Sequence, residues 1–406
     1  MHQLITHLSA NQTGGAAISA RRLHNGLQSL GTDSHFLSLV GEPNTKLGVD
    51  VLPKLYPRFW HNAAYRLGFP VQQHLKWQRR MKQLDCEGLF TSNIESDHDV
   101  LSHPTVQEAS VLNLHWVPGM LDWKTFFASV DRPLVWTLHD MNPFLGIFHY
   151  TVDRDRASPA LQRLDRDILE IKKRILHSLD RPPVIVSPSK WLLRESSQSE
   201  LFSGLRHVHI PYGLDTTVFK PFPQGFARDV FQLPQDRKLM LVVAEQLDDH
   251  RKGFDLLVDA LSSMKLPYDL ELVAVGKGAV PVASMRCHHL GSIHDERLMA
   301  LLYSAVDYTA ITSRQDNLPN VVLESLCCGT PVVGTPAGGI PEPIISERDG
   351  FVAESISSSA LSDAIRQAIS QTFDRERIAK EAAARYNGVL QARRCQALYD
   401  EMCHQA

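Results

Sequence analysis

The sequence has no apolar run near the length of about 18 residues that crosses a bilayer, which excludes a spanning helix. Its six cysteines (Cys86, Cys287, Cys327, Cys328, Cys395, Cys403) include no Cys-x-x-Cys pair. Met1 leads straight into the alternating segment HQLITHL, so no signal peptide is expected, and the thiols read as reduced groups in a cytoplasmic protein. Neither sign of charge dominates: 42 Lys and Arg stand against 45 Asp and Glu, for a formal net charge of -3. That balance gives no global reason to expect a nucleic-acid partner. Low-complexity tracts and repeats of solenoid length are also missing.

What is present is an alternation. Short apolar runs (LITHL, SHFLSLV, VLNLHWV, LVWTLH and VIVSPS, then LMLVVAE, LELVAVG, HHLGSI, VDYTAIT, PVVGT and GFVAE) are separated by longer amphipathic segments. This rhythm predicts βα units around parallel sheets. At 406 residues the chain exceeds one ordinary core, so two doubly wound α/β domains are expected. Pro211, Gly213, Pro221 and Pro223 interrupt both periodicities and mark the boundary. The expected division is residues 1–208, residues 209–380, and a C-terminal helix over residues 381–406 that packs back on the first domain.

Chemistry-bearing residues gather where strands end. Gly14 and Gly15 open a helix after the first strand, a place where free amides accept a phosphate or sugar hydroxyl; the bland alternative is a tight turn, since the GxGxxG spacing is incomplete. His139 and Asp140 end the LVWTLH strand, and His115 ends the one before it. His139 either donates to a substrate hydroxyl or developing charge, or only hydrogen-bonds its own loop. Arg251 and Lys252 lie in the loop before a helix that begins near Phe254, as diphosphate ligands or as solvated surface cations. In QDNLPNVVLESLCCGTPVV, Pro319 suits a first helical position and Gly329 the residue past the end. Asp316 then precedes the helix, and Glu324 lies about one turn inside it among apolar neighbours, where a lone carboxylate would be costly.

Two acidic triplets, Asp153 to Asp155 and Asp165 to Asp167, read as charged solvent faces rather than a metal site. Cys287, His288, His289, His207 and His209 lack a second spaced ligand pair, so no metal is expected. Residues 52–84 carry seven basic side chains (Lys54, Arg58, Arg66, Lys76, Arg79, Arg80, Lys82), no acid, and interleaved aromatics including Trp60 and Trp77. Such a segment suits peripheral contact with an anionic membrane, the alternative being a helix pair with a basic outer face.

Taken in order, TGGAA, TLHDMNPF, VSPSKWL, IPYGLDTTVFKP, RKGFDLL, LGSIHDERLMALLYSAVD, DNLPNVVLESLCCGTPVV and GGIPEPI resemble glycosyltransferase family four, the retaining nucleotide-sugar transferases of GT-B fold. The resemblance covers nearly the whole chain. The nearest branch is that of colanic-acid and other exopolysaccharide or capsule assembly. It implies a cleft between two Rossmann-like domains, a UDP- or GDP-sugar donor, a glycan or polyprenyl-linked saccharide acceptor, and no cofactor or metal. It implies that Glu324 accepts from the ribose, that Asp316 with the amides of Asn317 and Leu318 holds the transferred sugar, and that Arg251 and Lys252 bind the diphosphate. Gly14 and Gly15 would let the donor approach the first domain, His139 would contact the sugar, and the base would lie near Ser292, Ile293 and His294. Asp316 stands where the family's E-x7-E pair has its first Glu. Two rivals are a GT-B nucleotide-sugar epimerase and a catalytically silent sugar-nucleotide-binding partner of another transferase.

Overall fold

The computed structural model describes residues 3–53, 73–84, 86–264, 270–278 and 285–404. The chain forms two compact units, one of Met1–Pro211 with Val389–Ala406 and one of Tyr212–Gly388. The chain therefore changes unit at 211/212 and 388/389, beside sequence-read limits of 208/209 and 380/381.

Unit 1 holds β1 (Leu4–Asn11), β2 (Asp33–Val40), β3 (Val49–Val51), β4 (Val111–Leu114), β5 (Leu134–Thr137), β6 (Val184–Ser187) and β7 (His207–His209). They form one parallel sheet in the order β3-β2-β1-β4-β5-β6-β7. Its helices include α1 (Gly15–Ser29), α2 (Gln73–Gln83) and α3 (Pro159–His177). Unit 2 holds β8 (Lys238–Gln246), β9 (Leu270–Lys277), β10 (Cys287–His289), β11 (Tyr308–Ile311), β12 (Val332–Gly334) and β13 (Gly350–Val352), again parallel, in the order β10-β9-β8-β11-β12-β13. Its helices include α4 (Phe254–Ser263), α5 (Glu296–Ala305), α6 (Asn320–Cys327) and α7 (Arg375–Tyr386); α8 (Gly388–His404) returns to unit 1.

The central strands are apolar along their whole length because helices cover both faces, as parallel sheets require. In unit 1 one face packs Leu8, Leu112, Leu114 and Trp136 against Leu161, Leu164 and Ile168 of α3. The other sets Ile5, Val111, Val135 and Val186 against Leu23 and Leu27 of α1 and Ala392, Cys395, Leu398 and Tyr399 of α8. Unit 2 repeats the arrangement, with Leu239, Leu241 and Val273 facing α5 and α6, and Met240, Val242 and Leu272 facing α4. In each sheet the strand order reverses once, between β1 and β4 and between β8 and β11. Such reversals open the crevice in which α/β sheets take ligands at their carboxyl edge.

Several expectations need correction. β3 and β7 were not expected, each being a three-residue strand at a sheet edge. The HHLGSI run ends its pairing at His289, leaving Leu290–Asp295 as a loop. Pro319 is the N-cap of α6 rather than its first helical residue. The acidic triplets are not uniformly solvated: Asp153 and Asp165 are 3% exposed, while Asp155 and Asp167 face outward. Asp165 Oδ1 accepts from the amides of Ile147 (2.6 Å) and Phe148 (3.3 Å), so it braces a loop. Of the basic segment, Lys54, Tyr56, Arg58, Phe59, Trp60, Tyr65, Arg66 and Phe69 lie outside the described residues. In its described part Lys76, Arg79, Arg80 and Lys82 of α2 are exposed and Met81 is buried.

The attachment of α8 gives a measurable expectation. The Asn113 amide of β4 donates to Tyr399 Oη at 2.7 Å, while its carbonyl accepts from Thr137 Oγ1 at 3.0 Å. Tyr399→Phe strands that buried donor and should cost about 1–3 kcal/mol. All six tryptophans fall between Trp60 and Trp191, so urea denaturation followed by tryptophan fluorescence reads unit 1 alone. An unchanged midpoint would show that the amide finds another partner.

Candidate functional site

The loop after β8 and the loop after β11 meet at the reversal of the second sheet. In the first, Asp249 caps a single 3-10 turn, accepting from the Arg251 amide at 2.9 Å, and Gly253 turns the chain into α4 with φ +65. A Cβ at Gly253 would lie 2.0 Å from the carbonyl oxygen of Thr312, so only glycine lets the two loops touch. Lys252 Nζ sits 2.6 Å from Asp316 Oδ2, and Arg251 Nη1 lies 3.7 Å from the same oxygen. Asp316 Oδ1 accepts from the Asn317 amide at 3.0 Å. Burial pushes the Asp316 carboxyl upward, but Lys252 and Arg251 outweigh it and hold it below the usual carboxylate range.

The same junction is braced behind. Gly339 donates to the Asp316 carbonyl at 3.1 Å, and Gly338 has φ +59 with a hypothetical Cβ 1.8 Å from that oxygen. Arg314 grips Asp255 of α4 through both terminal nitrogens (2.7 and 2.5 Å) and donates to the His250 carbonyl at 2.6 Å. Glu324, 8% exposed, is not the lone carboxylate feared from sequence: Tyr303 of α5 donates to its Oε2 at 2.8 Å. A pocket here is lined by Val242–Ala244, Lys252, Thr312, Ser313, Asp316, Pro319 and Val321. Asn317 and Leu318 are buried beside it. Glu324, Arg251 and the Ser292–His294 loop are not among its lining residues. Sequence reading assigned no role to Tyr303, Ser313, Arg314, Gly338 or Gly339; the GGIPEPI motif was the available signal for the two glycines.

Unit 1 has its own pocket at the carboxyl edge, lined among others by Asn93, His115, Trp116, His139, Asp140 and Asn142. His139 is 8% exposed, and its Nε2 lies 3.0 Å from His115 Nδ1. Asp140 accepts from Trp116 Nε1 (3.1 Å), from His149 Nδ1 (2.6 Å) and from the Asn142 amide (2.9 Å). Burial raises the Asp140 carboxyl, yet His149 and those donors bring it below the ordinary range. Ser92 Oγ stands 2.7 Å from His149 Nε2, which completes the connectivity of a Ser-His-Asp triad. The Ser92 amide, however, donates to Ile147 O at 2.8 Å, and Phe90 stacks on the His149 ring with centroids 3.8 Å apart. Ser92 therefore works as a strut. Lys172 of α3, wholly buried, caps the Asn142 and Leu145 carbonyls at 2.6 and 2.7 Å; burial lowers its pKa to about 7 against the pull of Asp165 and Asp140. Gly14 (φ +86) and Gly15 open α1 at the end of β1. Among the described residues no His, Cys, Asp and Glu cluster could hold a metal ion.

Two parallel-sheet Rossmann-like units of this kind are the GT-B fold. Residues 237–371 match the family model described as glycosyl transferases group 1, and the chain is of the family-four glycosyltransferase type that its motifs resemble. It is 27% identical over 292 residues to a D-inositol 3-phosphate glycosyltransferase of Mycobacteroides abscessus, covering 66% of this chain and 60% of that relative's length. The whole chain superposes on a sucrose-phosphate synthase of Thermosynechococcus elongatus (TM-score 0.69, 19% identity, all of both chains). Ninety-eight per cent of it superposes on all of the Anabaena protein HepE solved with UDP and glucose (TM-score 0.67, 17% identity). At those identities the two structures speak for the fold.

The buried imidazoles of unit 1 predict its acid sensitivity. Burial lowers His7 and His115 well below the usual 6.5 and brings His24 and His139 to about 4. The unfolded chain takes up protons below pH 6.5 while the folded one stays neutral, so stability is complete above 6.5 and falls toward 4, by about 1.4 kcal/mol per pH unit for each such group at most. Tryptophan-detected melting should drop steadily from pH 7 to pH 5. A flat profile would mean that these rings titrate as if exposed.

Proposed function

We propose that the chain is a retaining glycosyltransferase that moves a sugar from a UDP- or GDP-sugar held by unit 2 to a glycan or polyprenyl-linked saccharide held by unit 1, in exopolysaccharide, capsule or lipopolysaccharide assembly. The observation that carries this reading is the meeting of Arg251, Lys252 and Asp316 at the strand-order reversal of unit 2, above a pocket and beside the start of α6. An anionic diphosphate entering there finds two cations already oriented by a carboxylate, and a cationic array fixed in advance stabilises a leaving group as its bond breaks. The amides of Asn317 and Leu318 and the carboxylate of Glu324 then answer the hydroxyls of sugar and ribose. The motif order, the family match and the inositol-phosphate relative support the reading.

Unit 1 supplies Asn93, Trp116, His139 and Asp140, an aromatic face with polar groups around it, which suits a saccharide ring. His139 is placed to touch the transferred sugar, and Gly14 and Gly15 to let a phosphate reach the amides that open α1. With no carboxylate in the position of a nucleophile in the family motifs, front-face attack through an oxocarbenium-like state is the proposed route, the diphosphate oxygen taking the acceptor's proton. Lys252 and Arg251 carry the charge that a metal would otherwise neutralise, so no cofactor is proposed.

Thermal-shift screening against UDP- and GDP-sugars should give a specific rise that Glu324→Ala abolishes. Incubation of the labelled sugar with a membrane extract should then yield labelled glycan or lipid with the donor's anomeric configuration, unaffected by chelators. An inverted product would overturn the retaining route, an epimerised nucleotide sugar would favour the epimerase, and binding without turnover the silent partner.

The proposed location is the cytoplasm, with residues 52–84 resting on the anionic inner face of the plasma membrane, where a polyprenyl-linked acceptor would lie. The exposed Lys76, Arg79, Arg80 and Lys82 of α2 support that contact; among the described residues no helix is long and apolar enough to cross a membrane. Binding to anionic liposomes should fall sharply with added salt. Salt-independent or absent binding would remove the membrane contact.

A further inference from the structure

Three strands that lie side by side in the first sheet each contribute one histidine to a continuous line. His7 comes from within β1, His115 follows β4, and His139 follows β5. His7 Nδ1 lies 2.9 Å from His115 Nε2, and His115 Nδ1 lies 3.0 Å from His139 Nε2. None of the three rings is more than 8% exposed. The line has one blind end, since His7 Nε2 is buried with no hydrogen-bonding group in reach. The nearest imidazole, His24, stands edge-on at 6.0 Å between centroids and is already engaged by Ser34 Oγ (2.8 Å) and the Leu47 carbonyl (2.7 Å).

Each neutral imidazole carries one hydrogen, so a line of three admits two arrangements. In one, every ring is protonated at Nε2, which places an N–H at the blind end with nothing to accept it. In the other, every ring is protonated at Nδ1: His7 donates to His115, His115 donates to His139, and the blind end is a bare lone pair. A buried N–H without an acceptor is the rarer and more costly defect. Burial keeps all three rings neutral near pH 7, so a third arrangement with an imidazolium does not compete.

We propose that His7 and His115 are positioning residues that lock His139 in its Nδ1–H tautomer, so that the pocket-lining imidazole acts as a neutral hydrogen-bond donor toward the oxygen of a sugar or phosphate. The lock stands on the geometry alone; its use on a sugar rests on the transferase reading. Neither His7 nor His115 need touch a substrate. The device explains why an imidazole is buried on β1 where an aliphatic side chain would fill the core without an unpaired nitrogen.

The test is a long-range proton-nitrogen correlation spectrum of the full chain labelled with nitrogen-15 histidine, with no sugar or nucleotide added. The His139 signals are assigned by their loss in His139→Gln. The expected wild-type pattern has hydrogen on His139 Nδ1 and a bare Nε2. His7→Phe removes the donor to His115, so His139 should become a mixture of tautomers, and the transfer rate at saturating substrate should fall about twofold as the competent fraction halves. His7→Asp offers only an acceptor and should invert the line, moving the hydrogen of His139 to Nε2. Hydrogen on Nε2 in the wild type, or a His139 pattern indifferent to both substitutions, would overturn the proposal. Should the variants fail to fold, the wild-type spectrum decides alone. Absence of transferase activity would leave that spectrum untouched, so the two readings fail separately.

Discussion

A short ion pair, Lys252 Nζ on Asp316 Oδ2 at 2.6 Å, ties the loop after β8 to the loop after β11 where the strand order of the second sheet reverses. Much of unit 2 reads as support for that contact. A carboxylate as buried as Asp316 is costly unless it is paired and its remaining lone pairs are used, and removing either partner would strand the other. The lone pairs are used by the Asn317 amide and by Arg251 at longer range. Close approach of the backbones is needed as well, which is why Gly253 and Gly338 both stand with positive φ where a Cβ would strike a carbonyl of the opposing loop. Arg314 repeats the tie from outside through Asp255, away from the pocket.

Unit 1 solves the same problem with different atoms. Its loop after β5 carries His139, Asp140 and Asn142 and is buried from Leu138 to Tyr150, so its backbone groups need partners that water cannot supply. Lys172 and Asp165, one helical turn and three-quarters apart on α3, provide them from beneath: the ammonium takes two carbonyls and the carboxylate takes two amides. The side chains above are thereby set in place before any ligand arrives. In both units a rigid polar junction at the switch point precedes the chemistry, and an electrostatic site gains most when its groups do not have to reorganise.

The degree to which this was readable follows from how local each cause is. Central strands announce themselves because burial on both faces makes them continuous apolar runs; β3 and β7, three residues each at the sheet margins, have no such run to show. The acidic triplets misled because residues two apart on a helix point to different sides, so Asp165 turns inward while Asp167 faces water. Motif order located Asp316, Glu324, Arg251 and Lys252, but not that Asp316 would sit on both cations. Tyr303 as the partner of Glu324 depends on how α5 packs beside α6, and the line from His7 to His139 depends on the register of strands more than a hundred residues apart. Neither relation leaves a local trace in sequence.

The departure from the family pattern at Asp316 acquires a physical sense in this setting. A carboxylate that must accept from the amide of the very next residue while its second oxygen meets Lys252 has to be short, and one more methylene would carry it past one partner or the other. Asp316 is thus suited to orienting cations rather than to reaching outward. On the transferase reading, that moves direct recognition of the sugar's hydroxyls toward the amides of Asn317 and Leu318 and toward Glu324, whose Oε2 is steadied by Tyr303. Donor preference in this chain would then be set less by the acidic residue that opens the motif than by how tightly the start of α6 is held against β11 and the glycines that follow β12.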